Sequence, residues 1–171
     1  MKQALLHIAL VEPQIPPNTG NIARLCAAND LALHLVGKLG FRIDDRSLRR
    51  AGLDYWPHVD LRLEENLHEL QRAFNGARLF YFSARADRIY SEVEYRSGDC
   101  LVFGSESQGL PQEVLRANHN HALRIPQRSP NVRSLNLATA VGIAAYEALR
   151  QLSFTDDGAM PMNGSVGKNS L

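Results

Sequence analysis

Two cysteines, one tryptophan and no apolar run long enough to cross a bilayer are the first features of this 171-residue chain. Cys26 and Cys100 alone cannot build a disulfide framework or a cysteine-rich metal site, and they read as reduced thiols of a cytoplasmic protein. A membrane-spanning helix needs about 20 consecutive apolar residues, and no segment approaches that length. The apolar start of MKQALLHIALVEP runs into polar, proline-bearing sequence without a small-residue cleavage site, so it reads as a first strand rather than a secretion signal. Neither sign of charge dominates: 19 Lys and Arg face 18 Asp and Glu, for a net charge of +1. That excludes a chain basic over its whole surface, but not one with a local basic patch. No metal spacing stands out either, since the pair His119 and His121 has no third ligand nearby in sequence.

What is present is an ordinary globular composition, 44% hydrophobic and 22% charged, at about the length of one domain. Short β-branched or aromatic runs alternate with amphipathic stretches. Strands are expected at 7–12, 32–37, near Val59, 77–84, 99–106 and 121–126. Helices are expected at 18–30, 65–74 and 134–152, with a basic turn or helix from Arg46 to Ala51. This alternation implies an α/β fold, a mostly parallel sheet flanked by helices. His34 reads as a strand histidine and Tyr146 as a packed residue of the last helix.

In such sheets, ligands bind beyond the carboxyl ends of the strands. Three polar or glycine-bearing loops fall at those ends: VEPQIPPNTGN, FGSESQGLP and RIPQRSPNVRSLN. In the first, Asn18 or Thr19 can cap a helix stiffened by Pro16 and Pro17, with Arg24 one turn beyond Gly20. A capped helix with a solvated arginine explains those residues equally well. In the second, Gly104 and Gly109 bracket a loop leading into a helix, and Glu106 can serve a ligand or a helix end. The loop is neither a Walker motif nor G-x-G-x-x-G. In the third, Ser134 suits a helix cap, with Asn136 satisfying amides of the same turn. Arg42, Arg46, Arg49 and Arg50, near Phe41, Tyr55 and Trp56, are either a solvated face or a surface for phosphates and stacked bases.

Taken together, the three loops resemble the motifs of the SPOUT superfamily of RNA methyltransferases, most closely the small tRNA 2'-O-methyltransferases of the TrmL type. EPQIPPNTGNIARLC is similar to the first family motif, FGSESQGLP to the second and IPQRSPNVRSLNLATAVGIAAYEA to the third. DDRSLRRAGLDYW (44–56) is similar to a segment marking that subfamily, and the likeness extends to about Leu152. The resemblance implies one methyltransferase domain over 1–153 closed by a C-terminal deep trefoil knot, a disordered tail over 154–171, and a homodimer. It implies S-adenosylmethionine as cofactor, held at Phe82, Ser83, Gly104, Glu106, Ile125, Gln127, Ser134 and Leu135, with no metal and no membrane. Arg24, Asn18, Glu106 and Asn136 would form the catalytic group, and Arg42, Arg46, Arg49 and Arg50 the tRNA grip. The implied reaction is methylation of the ribose 2'-hydroxyl at the tRNA wobble nucleotide, position 34, a cytidine or modified uridine. Another tRNA or ribosomal RNA target, and a non-catalytic RNA-binding protein of the same fold, remain open alternatives. Gln108 departs from the family pattern, standing where some members carry arginine.

Overall fold

The protein is described by a computed structural model covering residues 4–41 and 56–152. The Arg46–Ala51 segment, Arg42 and the C-terminal tail lie outside the described residues. The described residues form one sheet of seven strands: β1 His7–Val11, β2 Ala32–Val36, β3 Asp60–Glu64, β4 Leu79–Phe82, β5 Arg88–Ile89, β6 Cys100–Phe103 and β7 Ala122–Arg124. Their order is β3-β2-β1-β6-β4-β7-β5, and every paired neighbour is parallel. Among the described residues four α-helices accompany them: α1 Pro16–Ala28, α2 Leu67–Ala73, α3 Gln112–Ala117 and α4 Leu137–Leu152.

Side chains alternate across a strand, and here each face of the sheet finds its own cover. Ile8, Leu10, Leu33, Leu35, Leu101 and Phe103 pack with Ile22 and Cys26 of α1 and Val141 and Ala145 of α4. On the other face Ala9, Val36 and Val102 meet Leu70 of α2, with Val114 and Leu115 of α3 against them. A large apolar side chain fully buried this way contributes roughly 1.5–3 kcal/mol. With both faces covered, the strands read as continuous apolar runs such as HIALV and ALHLV, as parallel sheets require.

The expected α/β architecture is therefore observed, with local corrections. The last helix begins at Leu137 rather than Ser134. Asn136 takes the capping position, its side-chain oxygen accepting from the amides of Ala138 at 2.9 Å and Thr139 at 3.3 Å. Helix α1 starts at Pro16, before Asn18, and neither Asn18 nor Thr19 caps it. The two prolines open it because first-turn positions need no N–H. Strand β5 was not legible, because two residues carry no periodicity. Tyr146 is 48% exposed on α4 rather than packed. His119 and His121 lie in a 3-10 turn, not on a strand face. Among the described residues no helix is long and apolar enough to cross a membrane.

His34 does lie in β2, 1% exposed, inside a buried polar chain. Its Nδ1 is 3.0 Å from Glu64 Oε1, and its Nε2 is 3.0 Å from His7 Nδ1. Two neutral rings satisfy this arrangement: His34 Nδ1–H donates to Glu64, and His7 Nδ1–H donates to His34 Nε2. Burial, aided by the neighbouring His34 and Arg62, lowers His7 from 6.5 to about 4. Burial also lowers His34, outweighing the raising pull of Glu64. The unfolded chain thus takes up protons near pH 6.5, whereas folded His7 does so only near 4. The His7 contribution to stability is full above pH 6.5 and is lost as pH drops toward 4. The urea midpoint is expected to be lower at pH 5 than at pH 7.5, and the difference should shrink in His7→Phe. Equal midpoints at both pH values would refute neutral histidines at this position.

Candidate functional site

A cleft of about 1040 Å³ opens beyond the carboxyl ends of the strands. The loop after β6 forms its floor. Gly104 is there because no side chain fits: a Cβ would lie 2.0 Å from the Gly109 carbonyl carbon and 2.2 Å from the Leu110 nitrogen. Gly109 closes the turn with φ +71°, in the left-handed region, while its amide donates to Ser105 O at 2.8 Å. This pinch projects Glu106 toward the start of α1.

Glu106 joins the first two loops. Its carboxylate accepts from the backbone amides of Gln14 at 2.8 Å and Ile15 at 3.1 Å, and from Asn18 Nδ2 at 3.0 Å. Ile15 precedes α1 and offers no side-chain cap, so the carboxylate of a distant loop serves that helix terminus instead. A negative charge there is also favoured by the helix dipole. Asn136 brings in the third loop, donating from Nδ2 to Asn18 Oδ1 at 2.9 Å. The direction of this chain is fixed from one end. The amides of α4 claim the Asn136 oxygen, which turns its NH2 to Asn18, which in turn points its own NH2 at Glu106. Asn18 is only 6% exposed, so its polar atoms depend on these partners.

The cleft walls are of mixed character. Phe82 and Phe103 stack with centroids 4.6 Å apart and an interplanar angle of 16°. Ile125, Leu135 and Leu137 add apolar surface, and Ser83, Gln127 and Ser134 add short polar groups. All eight residues expected to hold a cofactor line this cleft: Phe82, Ser83, Gly104, Glu106, Ile125, Gln127, Ser134 and Leu135. Asn18 and Asn136 line it as well, but Arg24 does not. Six residues beyond Asn18, Arg24 sits about 9 Å along the helix and about 120° around it, which takes it off the cleft side. It is exposed there. Arg42, Arg46, Arg49 and Arg50 lie outside the described residues.

Glu12, Lys38, Arg85 and Arg133 also line the cleft and had no expected role. Arg133 donates to Ser107 O at 3.3 Å, tying the third loop to the second. Its position in RSPNVRSLN was visible in sequence, but the carbonyl it reaches was not. Among the described residues no group of His, Cys, Asp and Glu is placed to hold a metal ion.

Comparison with known proteins agrees with this geometry. The tRNA (cytidine(34)-2'-O)-methyltransferase of Saccharophagus degradans is 44% identical over 151 residues, covering 88% of this chain and 97% of that protein. A solved structure described as giving insights into 2-OH methylation of C/U34 on tRNA is 53% identical, with a TM-score of 0.83. It covers 89% of this chain and 99% of its own. An AdoMet-bound rRNA methyltransferase from Sinorhizobium meliloti is 26% identical with a TM-score of 0.77, over 88% of this chain and 58% of its own. Residues 5–146 match the SpoU rRNA Methylase family, a span that takes in all three loops, and the chain belongs to that family.

Proposed function

We propose that this protein transfers a methyl group from S-adenosylmethionine to the ribose 2'-hydroxyl of the wobble nucleotide of tRNA, position 34, cytidine or modified uridine. The observation that carries this reading is the 53% identity, over 99% of that chain, to the structure described for C/U34 methylation. The rRNA enzyme of Sinorhizobium meliloti is a weaker guide to substrate, since the likeness spans only 58% of its length. In this reading the protein works in the cytoplasm, with its tRNA substrate.

The cleft suits the cofactor chemically. A flat aromatic wall at Phe82, apolar Ile125 and Leu135, and short polar Ser83, Gln127 and Ser134 match an adenosine joined to an aliphatic chain. S-adenosylmethionine, when bound, supplies a methyl group activated on a sulfonium. The chain's own residues position and stabilise. Asn18, Glu106 and Asn136 hold the three loops in one arrangement, which positions the groups that line the cleft. Arg24 is exposed and outside the lining of its own cleft, so in this reading it orients the RNA phosphate or ribose and stabilises negative charge on the attacking oxygen at the cleft of the partner copy. A guanidinium is too weak a base to take the hydroxyl proton, which leaves late or through water.

The reading extends to the assembly. Residues 1–153 form one methyltransferase domain, and the segment before α4 passes through a loop as a deep trefoil knot. In this reading two copies pair as a homodimer. Arg42, Arg46, Arg49 and Arg50 grip the tRNA.

Incubation of purified tRNAs with labelled cofactor, followed by mapping of the methylated nucleotide, tests the reading. Label at ribose 34 is expected, and label only in ribosomal RNA would overturn it. Arg24→Lys keeps the charge but loses the planar fork, and turnover is expected to fall about 100-fold. Near wild-type turnover would remove Arg24 from the mechanism.

A further inference from the structure

The cleft is wider than its cofactor wall. Residues expected to hold S-adenosylmethionine follow β6, β4 and β7, three adjacent strands on one side of β1. The same cleft continues past β1 to the ends of β2 and β3, where Glu12, Gly37, Lys38 and Glu65 line it. Three neighbouring strand ends span about 10 Å, the width of a nucleobase with its ribose.

Glu12 is placed there at a cost. Its φ is +50°, in the left-handed region that a non-glycine residue rarely occupies. The other such residue among those described, Asp30, lies in the turn between α1 and β2, where that geometry is routine. Glu12 instead sits directly after a regular strand, with its amide still bonded to Val36 O at 2.8 Å. Its side chain lies across Gly37: a Cβ added to Gly37 would come within 3.2 Å of Glu12 Cγ and 3.5 Å of Oε1. Gly37, itself at φ +77°, leaves the room. Unlike Glu106, whose carboxylate is consumed by three donors, Glu12 is exposed at the cleft. Strain of this kind marks positions whose side chain must be aimed.

We propose that this second half of the cleft seats the base of the methylated nucleotide, with Glu12 reading its amino group. The proposal rests on the methyltransferase reading and extends it to specificity. A carboxylate only accepts, so it matches the exocyclic N4 amino group of cytosine and opposes the O4 carbonyl of uracil. Lys38 only donates, and it serves the O2 carbonyl that both bases share. Reading a base edge this way requires the base to be unstacked, as single-stranded loop nucleotides are. The enzyme is therefore biased toward cytidine by one acceptor.

Two tRNAs identical except for C or U at position 34 provide the test. Glu12→Gln keeps the size of the side chain but adds a donor that can meet O4. The ratio of kcat/KM for the C form over the U form is expected to fall about tenfold. Lys38→Met is expected to raise KM for both forms while leaving that ratio as in the wild type. Calorimetric affinity for S-adenosylmethionine reports whether each variant keeps a folded cofactor site. A wild-type ratio in Glu12→Gln, or an equal loss on both substrates, overturns the proposal. A wild-type enzyme silent on tRNA but active on another RNA fails the functional reading alone. The C-to-U exchange is then made at the nucleotide mapped in that RNA, and the Glu12→Gln ratio decides the proposal there.

Discussion

Gly104→Ala is expected to cut S-adenosylmethionine affinity by about 100-fold and to cost roughly 2–4 kcal/mol of stability. The added methyl group would stand 2.0 Å from one backbone atom and 2.2 Å from another, and neither can rotate away as a side-chain tip can. Relief requires the whole 104–109 turn to open, which stretches the 2.8 Å bond from the Gly109 amide to Ser105 O and swings Glu106 off α1. Gly109 provides the contrast. It has positive φ but nothing within 4 Å of an added Cβ. Gly109→Ala should therefore cost only about 1 kcal/mol, the strain of the left-handed backbone. Calorimetric titration with cofactor and urea unfolding of both variants measure the difference. A Gly104→Ala protein with near wild-type cofactor affinity would show that the pinch does not shape the site.

Glu106→Gln probes the next link. The carboxylate holds three donors with two oxygens, whereas glutamine offers one oxygen and turns an NH2 toward the other donors. If the remaining oxygen keeps Ile15 and Asn18, the Gln14 amide faces a donor instead of an acceptor. Charge-assisted bonds are also lost, so stability is expected to fall by about 2–3 kcal/mol. Turnover should fall about 100-fold, because Asn18 loses its anchor and the three loops no longer hold one geometry. Single-turnover methylation at saturating cofactor separates this loss from weakened binding. Turnover within a few-fold of wild type would show that Glu106 serves only the end of α1.

Much of the cleft was legible because its residues follow strand ends that apolar runs locate well. FGSESQGLP must fall after LVF, and Ile125 after HALR, whichever residue ends each strand. Pairings across the fold were not legible. Nothing in GSES says that Glu106 would cap a helix 91 residues earlier, leaving Asn18 and Thr19 without that duty. Ser134 looked like the cap of α4 on residue type alone, but Asn136 has the reach to bond two helix amides and Asn18 together. Arg24 illustrates a different limit. Its spacing from Gly20 was sound, but helical rotation relative to Asn18 decides what faces the cleft, and the start of α1 had to be known first. Glu12 opens the first family motif, but its aim into the cleft lies in a backbone angle that residue types do not reveal.

The sheet has a consequence for how the molecule assembles. Among the described residues no strand pairs with a hairpin neighbour, and every strand pairing joins segments that must first be separated by a crossover. The Asn18–Asn136 bond alone closes 118 residues. Contacts this distant return nothing until the chain entropy between them has been lost, so folding should be slow and its late steps should build the cleft. A ribosome-bound nascent chain lacking α4 would hold the strands of the cofactor wall without the helix amides that orient Asn136. Methyl-transfer competence is then acquired in one step, after the last helix leaves the exit tunnel.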